Sequence, residues 1–211
     1  MAYLKTLIDG YHRFRNREWR AERDRWAELA EGQSPKVMVI ACSDSRVDPA
    51  QIFDARPGEM FVVRNVAALV PPFEPDNNYH GVSAALEFAV TQLEVEELVV
   101  MGHGFCGGCA AALTGQFDDA GHGEGQFIAH WIGMLSAARE SIRSRHPTLD
   151  REAFLEMEHE GVRLSLANLR TFPWVREREQ AGHLKLHGAF FAIDNGILHV
   201  LDEATGVFAA A

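Results

Sequence analysis

Apolar residues recur at helical spacing near the start of the chain: Leu4, Leu7, Ile8, Tyr11 and Phe14, with charges between them. Trp19, Trp26 and Leu29 continue the pattern after a polar break at Arg15-Asn16-Arg17. This predicts two amphipathic helices, ended by Gly32-Gln33-Ser34-Pro35. From Lys36 the pattern changes. Val37-Met38-Val39-Ile40-Ala41, Met60-Phe61-Val62-Val63 and Leu98-Val99-Val100-Met101 are continuous apolar runs, as strands buried on both faces require. Between the second and third runs, residues 79–93 place Val82, Ala85, Leu86, Ala89, Val90 and Leu93 on one side of a helix. A glycine-rich turn at 103–108 leads into a short helix ending near Leu113. Residues 115–126 read as a loop, and 127–145 and 149–171 as helices, with Pro173 closing the second. Residues 186–193 and 197–201 read as hairpin strands joined by Asp194-Asn195-Gly196. Buried strands alternating with helices predict an α/β fold, a mainly parallel sheet flanked by helices. The organisation expected is a helical arm, 1–33, and one α/β domain, 34–211. The arm has no strand of its own, so its apolar stripe must lie on its own core or on a partner subunit. Because the unit after it looks complete, a dimerisation arm on a partner subunit is the expectation.

Composition narrows the function classes. With 211 residues, 47% hydrophobic and 24% charged, the chain can build one sizeable core, and disorder is excluded as its main description. No apolar run approaches the roughly 18 residues of a membrane span. The start of the chain lacks an apolar signal core, so a cytoplasmic protein with no membrane partner is expected. A net charge of −10 repels phosphate backbones and argues against nucleic acid as the main partner. The three cysteines cannot all pair, and reduced thiols are metal ligands, nucleophiles or small core residues.

Two segments carry candidate chemistry. Ala41-Cys42-Ser43-Asp44-Ser45-Arg46 follows one buried strand, and Gly102-His103-Gly104-Phe105-Cys106-Gly107-Gly108 follows another. In open α/β sheets ligands bind beyond the carboxyl ends of strands. Cys42, Asp44, His103 and Cys106 together offer sulfur, oxygen, nitrogen and sulfur, a set zinc accepts in tetrahedral geometry. A lone His-x-x-Cys or a lone buried cysteine would be weak evidence. Both at strand ends, with Arg46 two residues from Asp44, point to a site.

These motifs resemble the β-class carbonic anhydrases. Gln33-Ser34-Pro35, Pro57-Gly58-Glu59, Val63-Arg64-Asn65-Val66-Ala67, Cys106-Gly107-Gly108 and Leu186-His187-Gly188 extend the resemblance. It implies one Zn2+ per chain held by Cys42, His103 and Cys106. The fourth position is then taken by water or hydroxide when Asp44 pairs with Arg46, and by Asp44 itself when the site is closed. It implies reversible hydration of carbon dioxide to bicarbonate and a proton by attack of zinc hydroxide. It also implies a substrate pocket of Gln33, Phe61, Val66, Phe88 and Gly107, shared between the subunits of a homodimer or higher even oligomer. Phe88 stands where many members have tyrosine. Two alternatives stay open: a hydrolase of carbonyl sulfide or carbon disulfide on the same fold, and a structural zinc module that binds a partner. The Asp44–Arg46 spacing speaks against the latter, since a structural site needs no arginine to hold its carboxylate away.

Some β-class enzymes hold bicarbonate at a second site that favours the closed state. The resemblance maps that site onto Val39, Arg64 and Phe191, where only the arginine keeps a donor, so an open site is expected near neutral pH. Cys109 reads as a small buried hydrophobe rather than a redox partner of Cys106. His80 is a candidate proton relay, His122 and His130 read as surface or helix residues, and His187 as structural. Arg13, Arg15, Arg17 and Arg20 read as a solvated helix face.

Overall fold

The computed structural model describes residues 2–76, 78–121 and 123–211, so His122 lies outside the described residues. Two compact units are present, Met1–Ser34 and Pro35–Ala211. The first contains α1 (Ala2–Asn16), a single turn α2 (Glu18–Ala21) and α3 (Arg23–Glu31). The second predicted helix is thus broken into two pieces. Phe14 packs edge-on against Trp26, with ring centroids 5.8 Å apart. Tyr3, Leu4, Leu7, Ile8 and Tyr11 of α1 are exposed, as are the four arginines between positions 13 and 20.

The second unit is built on one six-stranded sheet in the order β2-β1-β3-β4-β5-β6. Its strands are β1 (Val37–Cys42), β2 (Met60–Asn65), β3 (Glu97–His103), β4 (Lys185–Ala192), β5 (Ile197–Asp202) and β6 (Val207–Ala210). β1 to β4 run parallel, and β5 and β6 add antiparallel. The helices are α4 (Pro49–Ile52), α5 (Gly81–Glu87), α6 (Gly107–Thr114), α7 (Gln126–Ile132), α8 (Ser136–Arg145), α9 (Arg151–Leu169) and α10 (Pro173–Gln180).

Strand β1 is central, and its alternation divides the core. Met38 and Ile40 join one buried cluster with Leu98 and Val100, while Val39 and Ala41 join another with Met101 and Ala189. β2 departs from the sequence reading. It is an edge strand, so its apolar run is only partly covered and Val62 is exposed. The 79–93 helix changes character midway: α5 passes into a π-helical segment, Phe88–Gln92. The 127–145 helix is interrupted by a 3-10 turn at Gly133–Leu135. Pro173 does not simply close a helix; it occupies the first turn of α10, where its missing N–H costs nothing.

α9 is the long helix behind the site. Asp150 caps it by accepting the Ala153 N–H at 3.1 Å. Its buried face comprises Ala153, Met157, Val162, Leu166 and Leu169, with Glu158 and Ser165 among them. It approaches β3 closely at Gly102, where a Cβ would lie 2.7 Å from Val162 Cγ2. Glycine is therefore needed beside His103 for the helix to pack this near.

Candidate metal centre

The ends of β1 and β3 lie side by side because these strands pair in register, Val37 with Glu97 through Ala41 with Met101. Cys42 ends β1 and His103 ends β3, while Cys106 stands at the cap position preceding α6. The ligand atoms of Cys42, His103 and Cys106 all lie within 4.8 Å of one another, and all three residues are buried. His103 Nδ1 sits 2.9 Å from the Gly104 carbonyl. A carbonyl only accepts, so Nδ1 carries the proton and Nε2 is the free lone pair. That Nε2 is buried and has no hydrogen-bond partner among the described residues. Two thiols and one imidazole nitrogen brought together in a buried cluster fit zinc. Contact with Cys106 and burial push the Cys42 thiol up to about 12, and contact with Cys109 and burial do the same for Cys106. A bound cation is what makes such thiols ligands, since its charge favours the thiolate.

Asp44 is not part of this group, and its carboxylate is engaged by Arg46. Its Oδ1 accepts from Arg46 Nε and backbone N, both at 2.9 Å, and its Oδ2 accepts from Arg46 Nη2 at 2.6 Å. The side-chain hydrogen bonds from Arg46 hold the Asp44 carboxyl well below the usual carboxylate range. The same Arg46 Nη2 donates to the Phe105 carbonyl at 3.1 Å, tying the loop after β1 to the turn after β3.

Arg64 braces the same loop. It donates to the Cys42 carbonyl at 2.9 Å, to the Asp44 carbonyl at 2.7 Å and to Asp48 Oδ2 at 2.9 Å. Asp48 Oδ1 meanwhile caps α4 through Ala50 N at 2.9 Å. Val39 is buried within β1, and Phe191 pairs with His103 across the β3–β4 ladder. Arg64, the arginine that the resemblance mapped to a second anion site, is thus engaged within the chain.

The remaining sequence-selected residues fall in three places. Val66 lies against the start of α6, where a Cβ on Gly108 would meet Val66 Cγ1 at 2.7 Å. Gly107 is exposed, with open space where a side chain would be. Phe61 and Phe88 form a ring pair with centroids 5.9 Å apart. In register terms Cys42 pairs with Asn65, four residues beyond Phe61. At ~3.3 Å per residue the phenylalanine pair sits roughly 13 Å down the sheet from the metal end of its own chain. Gln33 belongs to the first unit, after α3. Of the other residues weighed, Cys109 is buried in α6 and His130 is exposed on α7. His80 bonds Asp76 at 2.6 Å, and His187 bonds Glu97 of the neighbouring strand.

Three residues around the site escaped the sequence reading. Trp131 donates its indole N–H to the Val66 carbonyl at 2.8 Å, and Asn65 spans Leu69 N and O at 2.9 and 2.8 Å. Glu158 accepts the Cys106 N–H at 3.2 Å. Asn65 stood in the quoted Val63-Arg64-Asn65-Val66-Ala67 stretch without a role, and Glu158 left a faint trace as a carboxylate four residues from both Phe154 and Val162 on the apolar stripe of its helix.

The carbonic anhydrase family model matches residues 37–198. The chain belongs to the β-class carbonic anhydrase family. Its similarity to "Beta carbonic anhydrase 6, mitochondrial" of Arabidopsis thaliana is 37% identity over 195 residues, 92% of this chain. The chain spans about two-thirds, 66%, of that relative's length. Among solved structures, the β-carbonic anhydrase CcaA superposes with a TM-score of 0.91 at 29% identity, covering 99% of this chain and 100% of that one. A tetrameric β-carbonic anhydrase of Sordaria macrospora superposes with a TM-score of 0.80 at 27% identity, covering 96% and 98%. No helix among the described residues is long and apolar enough to cross a membrane.

Proposed function

We propose that this β-class carbonic anhydrase family member catalyses the reversible hydration of carbon dioxide to bicarbonate and a proton, with zinc held by Cys42, His103 and Cys106. The observation that carries the reading is the buried Cys42–His103–Cys106 group beside an aspartate already committed to an arginine. A zinc ion bound there supplies Lewis acidity that makes a water nucleophilic near neutral pH. Asp44, deprotonated and fixed by Arg46, accepts a hydrogen bond from that nucleophile and orients its lone pair. Carbon dioxide is apolar and uncharged, so Val66, Phe61 and Phe88 need only exclude water. The Gly107 N–H and the Gln33 amide hold its oxygens as charge develops on them. One C–O bond forms and one proton leaves to buffer.

The position of Phe61 and Phe88 down the sheet supports a pocket completed by a second subunit, with the exposed stripe of α1 as the arm that clasps it. The assembly we infer is a homodimer or higher even oligomer. A closed structural zinc module fits less well, because it has no use for an arginine that holds Asp44 off the metal. Free, buried cysteines support a reducing compartment, and cytoplasm is the reading retained. Stopped-flow hydration of carbon dioxide, run beside turnover of carbonyl sulfide, tests the substrate. Faster turnover of carbonyl sulfide than of carbon dioxide by zinc-loaded protein would reassign it, and Cys106→Ser should abolish either activity together with the zinc.

A further inference from the structure

We infer that Glu158, held by Arg151, is a positioning residue of the metal centre. It acts through a single peptide bond that the Asp44–Arg46 pair grips from the other side. The inference rests on the proposed zinc reading of Cys42, His103 and Cys106.

Glu158 is 3% exposed, and a carboxylate so buried needs compensation for its lost water. Arg151 supplies it with a two-pronged contact, Nη1 to Oε1 at 3.0 Å and Nη2 to Oε2 at 2.9 Å. Arg151 is itself 44% exposed along its side chain, so the pair joins the buried turn to the surface. Oε1 also accepts the Cys106 N–H at 3.2 Å. The carbonyl of the same peptide unit, Phe105 O, accepts from Arg46 Nη2 at 3.1 Å. One peptide plane is therefore held by an anion at its hydrogen and a cation at its oxygen. Both polarise it in the same sense, which strengthens each bond.

That peptide needs holding. Phe105 is in the left-handed region at φ 57°, a conformation that costs a non-glycine residue free energy. The guanidinium of Arg151 lies 4.3 Å from the Phe105 ring centre, so the same arginine covers the strained residue and pins the carboxylate. Cys106 occupies the cap position of α6, yet its side chain makes no capping bond. Its own backbone N–H, which lies outside the helical ladder, is taken by Glu158. A slack Phe105–Cys106 peptide would turn the Cys106 sulfur away from Cys42 and His103. It would also remove the second acceptor that steadies Arg46, and through it Asp44.

The test replaces both charges together, Arg151→Met with Glu158→Met, because removing the half-exposed Arg151 alone strands the buried Glu158 carboxylate, whereas replacing a buried pair by apolar groups of similar volume is commonly tolerated. Glu158→Gln is the conservative control, keeping an acceptor for the Cys106 N–H. Each protein is loaded with zinc and titrated with a chelator, and separately loaded with cobalt(II) to record the thiolate-to-metal charge-transfer band. The double variant should bind zinc about 10–100-fold more weakly, as loss of a residue that orients a ligand does. Its cobalt band should shift, while Glu158→Gln stays near wild type in both. A folded double variant with wild-type zinc affinity and an unchanged cobalt band would overturn the role of Glu158 alone. Wild-type protein that takes up neither metal would overturn the zinc reading as well.

Discussion

Asp44 and Arg46 should behave as one catalytic unit, and a double-mutant cycle measures this. Asp44→Asn removes the charged acceptor. Arg46→Met leaves the carboxylate with only the backbone N–H of residue 46, of the three contacts now present. Each single change removes the same oriented hydrogen bond to the nucleophile, worth about 10²-fold in kcat/KM, or ~2.7 kcal/mol. Independent effects would sum to about 10⁴-fold, ~5.5 kcal/mol. A working pair predicts that the double variant costs little more than the worse single. The excess is bounded at ~1 kcal/mol by the bond Arg46 also gives to Phe105 O. Folding should hardly change: the Arg46 side chain is 48% exposed, and a screened pair of this kind contributes less than about 1 kcal/mol. The assay is stopped-flow hydration near pH 8 at matched zinc content, with each loss expressed as ΔΔG‡. Losses that add to within ~0.5 kcal/mol would refute the pairing.

Three further outcomes follow from the same structure. Deleting residues 1–30 should give monomers or aggregates in sedimentation, since Tyr3, Leu4, Leu7, Ile8 and Tyr11 are exposed on α1; a truncated, active dimer would contradict it. Burial, with Arg163 beside it, holds His159 down at about 4, where it stacks on Phe208. A lowered histidine favours the fold fully above its unfolded value of about 6.5 and loses that contribution as pH falls towards 4, up to about 3 kcal/mol. Urea midpoints should fall across that window, and less steeply in His159→Phe; equal slopes would contradict the assignment. With Arg64 tied to Cys42 O, Asp44 O and Asp48, activity should show no steep, cooperative loss between about pH 8.5 and 7.5. Such a loss, sharpened by added bicarbonate, would show that the second anion site is functional here.

The parts of this molecule legible in the sequence are those where one residue type answers to one physical demand. β1 and β3 are continuous apolar runs because both their faces are covered, and Cys42 and His103, two of the three proposed metal ligands, stand at their ends. β2 carries the same kind of run but is an edge strand, and nothing local distinguishes the two cases. α10 was missed because Pro173 punctuates a chain equally well as an ending or as a first turn. β6 was missed because Val207-Phe208-Ala209-Ala210 is short and alanine-rich, and it is a strand through pairing with β5. At the site, Asp44 and Arg46 were visible through their spacing. Arg151 and Glu158 were not, because the peptide they secure lies 52 residues from Glu158 in sequence and adjacent in space.

The central claim is that Cys42, His103 and Cys106 hold one zinc that makes this chain a carbon dioxide hydratase. The most direct measurement is stopped-flow hydration during stepwise addition of zinc to metal-free protein, with bound zinc counted in parallel. Activity should rise in proportion to bound zinc and saturate at one ion per chain, and the Cys106→Ser protein should gain neither. A chain that fills with one zinc yet leaves hydration at the rate of buffer would contradict the account.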